Sequence, residues 1–427
     1  LIEIKQEQLS AIVDAYRALG GGFLLTSSGI EATEAFYLTP QGETVEVLPQ
    51  APIPRQPTLT IETADPYVDE RVLNPIGFLV DVEGPVVDLA SLDLRRGATP
   101  AMVGALRSAV GVRVDTWDDA VERTVRGLAC AGVPVVADSA PDSLGADVVA
   151  AILAPVDLAD PLAREEHSLM LRRAALETWS SLAWRRKLGR RAGVPVAVQP
   201  SVSVVLATKR ADMIDHALAQ VARQRDVAEL ELVLAPHGFD VPADQVQSAV
   251  GEGVTVQVVP QADDAMFGDV LNAAALASGG DVVLKMDDDD WYAPDAIADL
   301  LRARAYSGAE LVGMPPEFHY LTEQDLTVTR GHPSELYASF VAGGTMLVDR
   351  AMLREVGGFR AVRKFVDAQL LEGVLAAGGA IYRTHGLGYV LRRNPTGHTW
   401  QADLEFLLDP ARVRSTTPGF HPSRLLT

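Results

Sequence analysis

The sequence has little cysteine and no long apolar run, and each absence excludes a class of protein. Cys130 is the single cysteine among 427 residues, so neither a disulfide framework nor a thiolate zinc site can form within one chain. This fits a reducing compartment. No run of about 18 apolar residues occurs, so we expect no membrane-spanning helix. The chain starts at Leu1 without a recognisable signal peptide, and we expect a cytoplasmic protein.

Positive charge is also scarce. Lys and Arg total 37 against 57 Asp and Glu, which gives a net charge of −20. Because nucleic-acid binding depends on neutralising phosphates, such an acidic chain is not expected to bind nucleic acid. One basic stretch closes the helix predicted over residues 162–191, and we interpret it as the solvated face of a connecting helix. Peripheral contact with the inner face of a membrane is the alternative, and a homo-oligomer stays open.

The length suits two or three domains. Residues 99–140 alternate helix-like and strand-like segments, which is typical of α/β structure. We predict an N-terminal accessory domain, α/β or α+β, over residues 1–160 and a helical linker over residues 161–198. Residues 199–427 form the second predicted domain. Nothing in the sequence indicates what the N-terminal domain does.

The second domain has a regular pattern of apolar strands separated by helices. Strands are predicted over residues 201–208, 230–235, 254–259 and 281–286. Continuous apolar runs of this kind are buried on both faces of a parallel sheet. The pattern predicts a Rossmann-like fold with a mostly parallel sheet flanked by helices, whose ligands bind beyond the carboxyl ends of the strands.

Four consecutive aspartates, Asp287 to Asp290, stand at such a carboxyl end, in the stretch "VVLKMDDDDWYAPD". Adjacent carboxylates repel one another, and a divalent cation would relieve the repulsion. Successive side chains of an extended strand point to opposite sides. We therefore expect Asp287 and Asp289 to face one ligand, and Asp288 and Asp290 to face elsewhere.

Residues from about 200 to 400 resemble the GT-A fold glycosyltransferases of family 2. Four segments carry the resemblance: "VSVVLATKR", "GDVLNAAALASGGD", "DDDDWYAPD" and "VAGGTMLVDRAMLREVGGF". The resemblance implies a metal-dependent enzyme that moves a sugar from a nucleotide-diphosphate sugar to an acceptor hydroxyl with inversion. The implied cofactor is Mg²⁺ or Mn²⁺.

The resemblance also implies roles for individual aspartates. Asp287 and Asp289 match the outer positions of the family's D-x-D motif, and Asp288 is its variable middle position within the nucleotide-sugar site. Asp289 would bind the metal. Asp287 would contact the ribose or the water shell of the metal.

Other parts of the donor site follow from the same resemblance. Thr208, Lys209 and Arg210 lie on the loop after the first strand, where the nucleotide would rest. Asn272 matches an asparagine on the helix before the fourth strand. These four residues are assigned to the nucleotide-sugar site.

A catalytic base is expected at the start of the helix after "GGF". Asp367 matches the second member of the family's acidic pair, and Val366 stands where the first often is. A carboxylate at a helix N-terminus is stabilised as the anion, and Asp367 would accept a proton from the acceptor hydroxyl. Glu372 is the fallback.

The C-terminal segment adds further candidates. His398 would be a third metal ligand or a diphosphate contact. Arg392 and Arg393 would neutralise the departing diphosphate. His385 is a weaker candidate for the site.

Two positions depart from the family pattern. The second strand ends in Pro236 and His237, where acidic residues usually help to recognise the base. His237 is therefore assigned to the nucleotide site, and Asp263 or Asp264 would supply a carboxylate for the base. Lys285 replaces an apolar residue of the fourth strand, and pairing with a neighbouring carboxylate would account for it.

We favour a UDP-sugar as donor, with GDP- and dTDP-sugars as alternatives, and a role in polysaccharide or glycoconjugate assembly. A nucleotidyltransferase acting on sugar phosphates is the first rival. Against it, no Gly-rich loop with downstream Arg and Lys follows the first strand. A catalytically decayed nucleotide-sugar-binding module is the second rival, because the second strand is altered.

Overall fold

A computed structural model describes most of the chain. The described residues are 36–38, 44–46, 67–73, 82–194, 199–394 and 404–427. The chain divides into two compact units, Leu1–Glu62 and Thr63–Thr427. In the first unit, strands β1 (Phe36–Leu38) and β2 (Thr44–Glu46) pair antiparallel. All other elements among the described residues belong to the second unit.

The second unit begins with a small parallel sheet. Strands β3 (Val86–Asp88), β4 (Gly111–Val114) and β5 (Val135–Ala137) pair in that order. The helices around them are α1 (Glu70–Leu73), α2 (Pro100–Leu106), α3 (Asp119–Cys130) and α4 (Ala146–Leu153). The α/β character predicted for residues 99–140 is confirmed.

The helix predicted over residues 162–191 is in fact two helices, α5 (Pro161–Trp179) and α6 (Ser181–Ala192). Ser180 separates them because its backbone is extended and its hydroxyl accepts the Ala183 N–H at 3.1 Å. Such a side-chain cap starts a new helix. The prediction missed the break because a serine inside a helical pattern is a weak stop signal.

Helix α5 contacts both halves of the second unit. Its apolar residues share one hydrophobic core with the small sheet and with strands of the large sheet. At its polar positions, Glu166 accepts a hydrogen bond from Ser423 Oγ at 2.7 Å, and Glu165 accepts one from Ser334 Oγ at 2.9 Å. The division of the chain at residues 160 and 198 stays a prediction.

The large sheet has eight strands, and its parallel part is the predicted one. Strands β6 (Val202–Thr208), β7 (Leu230–Pro236), β8 (Val254–Val258) and β9 (Val282–Met286) run parallel in the order β9-β6-β7-β8. Helices α7 (Ile214–Ala222), α8 (Ala243–Val250) and α9 (Phe267–Ala277) connect them. All four strand predictions are confirmed to within one residue at either end.

The remaining elements complete the large sheet and add a second one. Further members of the large sheet are β11 (Leu311–Gly313), β14 (Leu336–Tyr337), β15 (Leu347–Asp349) and β16 (Ile381–Arg383). The five-stranded second sheet consists of β10 (Trp291–Tyr292), β17 (Tyr389–Arg393), β12 (Phe318–Leu321), β13 (Leu326–Thr329) and β18 (Ser415–Pro418). The helices are α10 (Ala296–Ser307), α11 (Arg350–Glu355), α12 (Val366–Ala376) and α13 (Leu404–Leu407).

Strand β9 lies in the interior of the large sheet, between β6 and the antiparallel strand β15. All five of its residues are buried. Because β6 and β9 run parallel, their carboxyl ends open at the same edge, where the loop after Thr208 meets the aspartate cluster. In the part of the chain that is described, no helix combines the length and apolar character needed to cross a membrane.

Candidate active site

The loop after β6 and the aspartates after β9 are joined directly. The hydroxyl of Thr208 donates to a carboxylate oxygen of Asp288 and accepts the backbone N–H of Arg210 at 2.9 Å. Thr208 ends β6 and Asp288 follows β9, and these two strands are neighbours in the sheet. The predicted proximity of Thr208 and Arg210 to the aspartate cluster is therefore present in the structure.

Arg210 is the cation that neutralises the middle of the cluster. Its guanidinium donates to Asp288 and, at 2.8 Å, to Asp289 Oδ2. Burial raises the pKa of Asp288, and the hydrogen bonds from Arg210 and Thr208 oppose that rise. A planar guanidinium can serve two carboxylates at once, as it does here.

The predicted alternation of the aspartates is wrong. Asp288 and Asp289 both bind Arg210, whereas Asp287 and Asp290 both lie beside Gly344. The reason is local: the strand ends at Met286, and residues 288–290 form a bend. The period of two holds only for extended backbone.

Asp290 is the structural member of the cluster. It is buried and accepts hydrogen bonds from the Tyr389 hydroxyl at 2.5 Å and the Arg392 backbone N–H at 2.8 Å. Burial raises the pKa of Asp290 well above its usual value, and the charges of Asp289 and Asp287 add to the rise. Asp290 thus fastens the cluster to β17.

The first aspartate points toward the candidate base. Lys285 Nζ lies 2.6 Å from Asp287 Oδ1 and 3.3 Å from Asp367 Oδ1, so one ammonium group bridges the two carboxylates. Burial raises the pKa of Asp367, the charge of Lys285 opposes this, and Asp287 adds to the rise. The pairing expected for Lys285 is confirmed, and one of its two partners is Asp367 itself.

Two glycines form the floor under these carboxylates. A Cβ at Gly343 would stand 2.0 Å from Asp367 Oδ2, and one at Gly344 would stand 2.9 Å from Asp287 Oδ2. Tyr292 closes the same corner, because its hydroxyl accepts the Asp287 N–H at 2.9 Å and donates to the Gly344 carbonyl at 2.8 Å. The sequence analysis used this Gly-Gly pair only for the family resemblance and did not predict its contact with the candidate base. Two consecutive glycines were the feature of the sequence that could have indicated such a close approach.

A second corner surrounds the end of β7. Lys209 Nζ is 2.8 Å from Asp263 Oδ1, and the His237 backbone N–H donates to the Thr208 carbonyl at 2.8 Å. His237 is buried, and its Nε2 has no hydrogen-bond partner among the described residues. Asp264 is exposed beside Asp263. The structure thus brings the predicted nucleotide contacts of β6, β7 and the loop after β8 together.

Several other candidates lie apart from this centre. The side-chain amide of Asn272 bonds to both backbone groups of Phe359, so it holds the "GGF" turn. His385 is buried against Asp299, with its Nε2 3.0 Å from Oδ2. Glu372 is exposed one turn beyond Asp367 on α12.

The arginines of β17 differ from one another. The Arg392 guanidinium carbon lies 4.0 Å from the ring centre of Trp291, the residue that follows the aspartate cluster. Arg393 pairs with Leu321 of β12, and its carbonyl accepts the Thr322 N–H at 3.0 Å. His398 lies outside the described residues.

The donor chemistry of the cluster fits a divalent cation. Asp289 and Asp287 offer hard carboxylate oxygens, and Mg²⁺ or Mn²⁺ takes few such ligands when phosphates supply the rest. Within the described ranges, no three His, Cys, Asp or Glu side chains converge as a ready-made metal site. A metal ion on Asp289 would either share that carboxylate with Arg210 or displace the arginine from it.

Comparison with known proteins bears on the same segment. Residues 203–371 match the family described as glycosyl transferase family 2. The match covers less than half of the chain. The matched residues include the aspartate cluster, Lys285, Gly343 and Asp367, while Arg392 and Arg393 lie beyond them.

Solved structures that are similar to part of the chain share little sequence identity with it. One is the mannosyltransferase PcManGT from Pyrobaculum calidifontis in complex with GDP-Man and Mn²⁺: 17% identity, TM-score 0.38, covering 51% of this chain and 65% of that one. Another is S. aureus TarS 1–349 in complex with UDP-GlcNAc: 16% identity, TM-score 0.39, covering 48% of this chain and 62% of that one. The match thus spans less than two thirds of either structure's chain. No curated protein sequence matches the chain.

Proposed function

We propose that this protein is a metal-dependent, inverting glycosyltransferase that moves a sugar from a nucleotide-diphosphate sugar to an acceptor hydroxyl. The observation that carries the proposal is the bridge of Asp287 and Asp367 by Lys285. It places a carboxylate of the donor motif beside the carboxylate of the candidate base. A glycosyltransferase needs its donor-binding carboxylate and its base close enough to act on the same sugar.

The donor would lie along the carboxyl ends of β6, β7 and β9. His237 offers the nucleotide base a buried nitrogen that has no partner among the described residues. Thr208, Lys209 and Arg210 line the path from there to Asp288 and Asp289. Arg392, partly buried beside Trp291, supplies positive charge near the diphosphate, where negative charge develops.

Asp289 would hold the divalent cation, which when bound supplies a Lewis acid for the departing diphosphate. Asp367 would take the proton from the acceptor hydroxyl. The acceptor hydroxyl would attack the anomeric carbon from the side opposite the leaving group, which inverts its configuration. Gly343 leaves room for this carboxylate, because a Cβ there would stand 2.0 Å from Asp367 Oδ2.

The test starts with nucleotide binding. Titration calorimetry with UDP, GDP, dTDP and CDP, each with Mn²⁺ and with EDTA, should show metal-dependent binding of one nucleotide by the wild type. Asp289→Ala should lose it. The favoured donor is a UDP-sugar, and the nucleotide that binds names the donor class. Binding of none of the four with metal present would contradict the proposal.

Transfer is tested separately. Asp367→Asn should lower turnover by about 100- to 10,000-fold, the usual contribution of a general base, with donor affinity nearly unchanged. Asp244→Asn is the matched control, since Asp244 is an exposed acid in the first turn of another helix, α8. Pyrophosphate release from a sugar phosphate and a nucleoside triphosphate would identify a nucleotidyltransferase instead.

A further inference from the structure

Lys285 is a charged residue in a strand that is otherwise apolar and wholly buried. Only 2% of its side chain is exposed. Val283, two residues earlier on the same face, and Val205, its neighbour on β6, belong to the hydrophobic cluster that also contains Val366 of α12. A lone ammonium group in such surroundings is strongly destabilising, so it persists only when it is paired.

The two partners of Lys285 come from different parts of the chain. Asp287 follows β9, and Asp367 stands in the first turn of α12. Their side chains are 34% and 40% exposed, although Asp367 Oδ1, the oxygen that faces Lys285, is itself buried. The ammonium therefore lies in the core, and each of the two side chains is partly exposed.

A lysine suits this place better than an arginine. An ammonium is a compact charge with three donors, whereas a guanidinium needs the width of a planar fork. Nζ makes its short contact, 2.6 Å, with Asp287 and its longer one, 3.3 Å, with Asp367. The longer contact leaves Asp367 able to accept a proton while the positive charge favours its ionised form.

We infer that Lys285 is a positioning residue of the transfer reaction. It holds Asp367 ionised and aimed beside the donor carboxylate Asp287. The charged groups that face Asp367 are Lys285 from β9 and Asp287 beyond its end. This inference rests on the proposed function, because it assigns Asp367 the role of base.

The test is the pH profile of transfer by Lys285→Met, which keeps the apolar stem and removes the charge. Without the ammonium, Asp367 holds its proton to higher pH. The acidic limb of kcat/KM should move upward by at least about one pH unit, with a loss of about tenfold below it for each unit of the shift. Activity should recover as the pH rises above the new limb.

A purely structural lysine gives a different result. Its removal would lower activity by the same factor at every pH and leave the limb in place, and that outcome overturns the inference. Fully retained activity with an unmoved limb does so as well. Asp367 Oδ1 is buried and loses its cation in the methionine variant, so far-ultraviolet circular dichroism first checks that this variant folds.

A second measurement does not depend on turnover. Urea midpoints of the wild type, Lys285→Met, Asp367→Asn and the double variant form a cycle. The effect of Lys285→Met should be smaller in the Asp367→Asn background, whereas strictly additive effects would overturn the pairing. If the wild type transfers no sugar with any nucleotide donor, the proposed function fails, and this cycle still decides whether Lys285 holds Asp367.

Discussion

The guanidinium of Arg210 lies 2.8 Å from Asp289 Oδ2, on the carboxylate that the family resemblance assigns to the metal. The same guanidinium also binds Asp288. The aspartate cluster thus has a cation of its own, supplied by the loop after β6. Four adjacent carboxylates are tolerated because each has a partner: Lys285 for Asp287, Arg210 for the middle pair, and a tyrosine hydroxyl for Asp290.

Arg210 should therefore compete with metal in the protein without nucleotide. We predict that Arg210→Gln binds Mn²⁺ roughly tenfold more tightly than the wild type, since a charge-assisted hydrogen bond contributes about 1.5–3 kcal/mol. Electron paramagnetic resonance of free Mn²⁺ measures this directly. Arg350→Gln, which removes an arginine whose guanidinium binds the carbonyls of Ser278 and Gly279, should leave Mn²⁺ affinity unchanged. Equal or weaker Mn²⁺ binding by Arg210→Gln would contradict the competition.

The floor under the candidate base gives a second prediction. Gly343→Ala places a Cβ 2.0 Å from Asp367 Oδ2, so the carboxylate must move. A displacement of about 1 Å costs roughly a hundredfold in turnover, and we expect that loss with donor binding retained. Gly373→Ala is the control. Gly373 lies on α12, the helix of Asp367, and a Cβ there would lie 3.5 Å from Val356, which is an ordinary contact distance. Full activity of Gly343→Ala would show that Asp367 is not held by this contact.

Arg172 and Glu335 form a buried ion pair that joins α5 to the region before β14, with 3.0 Å between Nη2 and Oε1. Glu335 also accepts the hydroxyls of Tyr306 and Thr384. We predict that Arg172→Met lowers the free energy of unfolding by about 3–5 kcal/mol, because it leaves a buried carboxylate without its cation. Urea denaturation measures the change.

The control for this pair lies on the surface. Arg186 pairs with the largely exposed Glu177 at 2.8 Å, and Arg186→Met should cost no more than about 1 kcal/mol. An equal loss of unfolding free energy in both arginine variants would mean that the buried pair contributes no more than the surface pair.

His319 should make the folded protein less stable at acidic pH. Burial lowers the pKa of His319 to about 3, and the charges of Arg330 and His332 add to the effect. Below a pH of about 6.5, His319 binds a proton in the unfolded chain but stays neutral in the folded one. The free energy of unfolding therefore decreases as the pH falls toward 3. The slope from this residue is about 1.4 kcal/mol per pH unit. His319→Gln should narrow the gap between urea midpoints at pH 7 and pH 4.5, and an unchanged gap would contradict the prediction.

Much of the framework could be predicted from the residues in order. The apolar runs of β6, β7 and β9 are almost wholly buried, as expected for parallel strands, whereas the edge strand β8 is mostly half-buried. The aspartates after β9 and the threonine after β6 then lie at one edge by the general geometry of such sheets. The break at Ser180 and the bend after Met286 were missed, because capping and bending depend on single residues rather than on periodicity.

By itself the sequence determined the four parallel strands, the edge of the sheet where the aspartates lie, and the family whose pattern residues 203–371 match. Only the tertiary structure decided which charges neutralise one another. Lys285 and Asp367 lie far apart along the chain, and no local pattern records that β9 and the start of α12 pack together. Ion pairing depends on distances of a few ångströms between side chains, and those distances exist only after the core has formed.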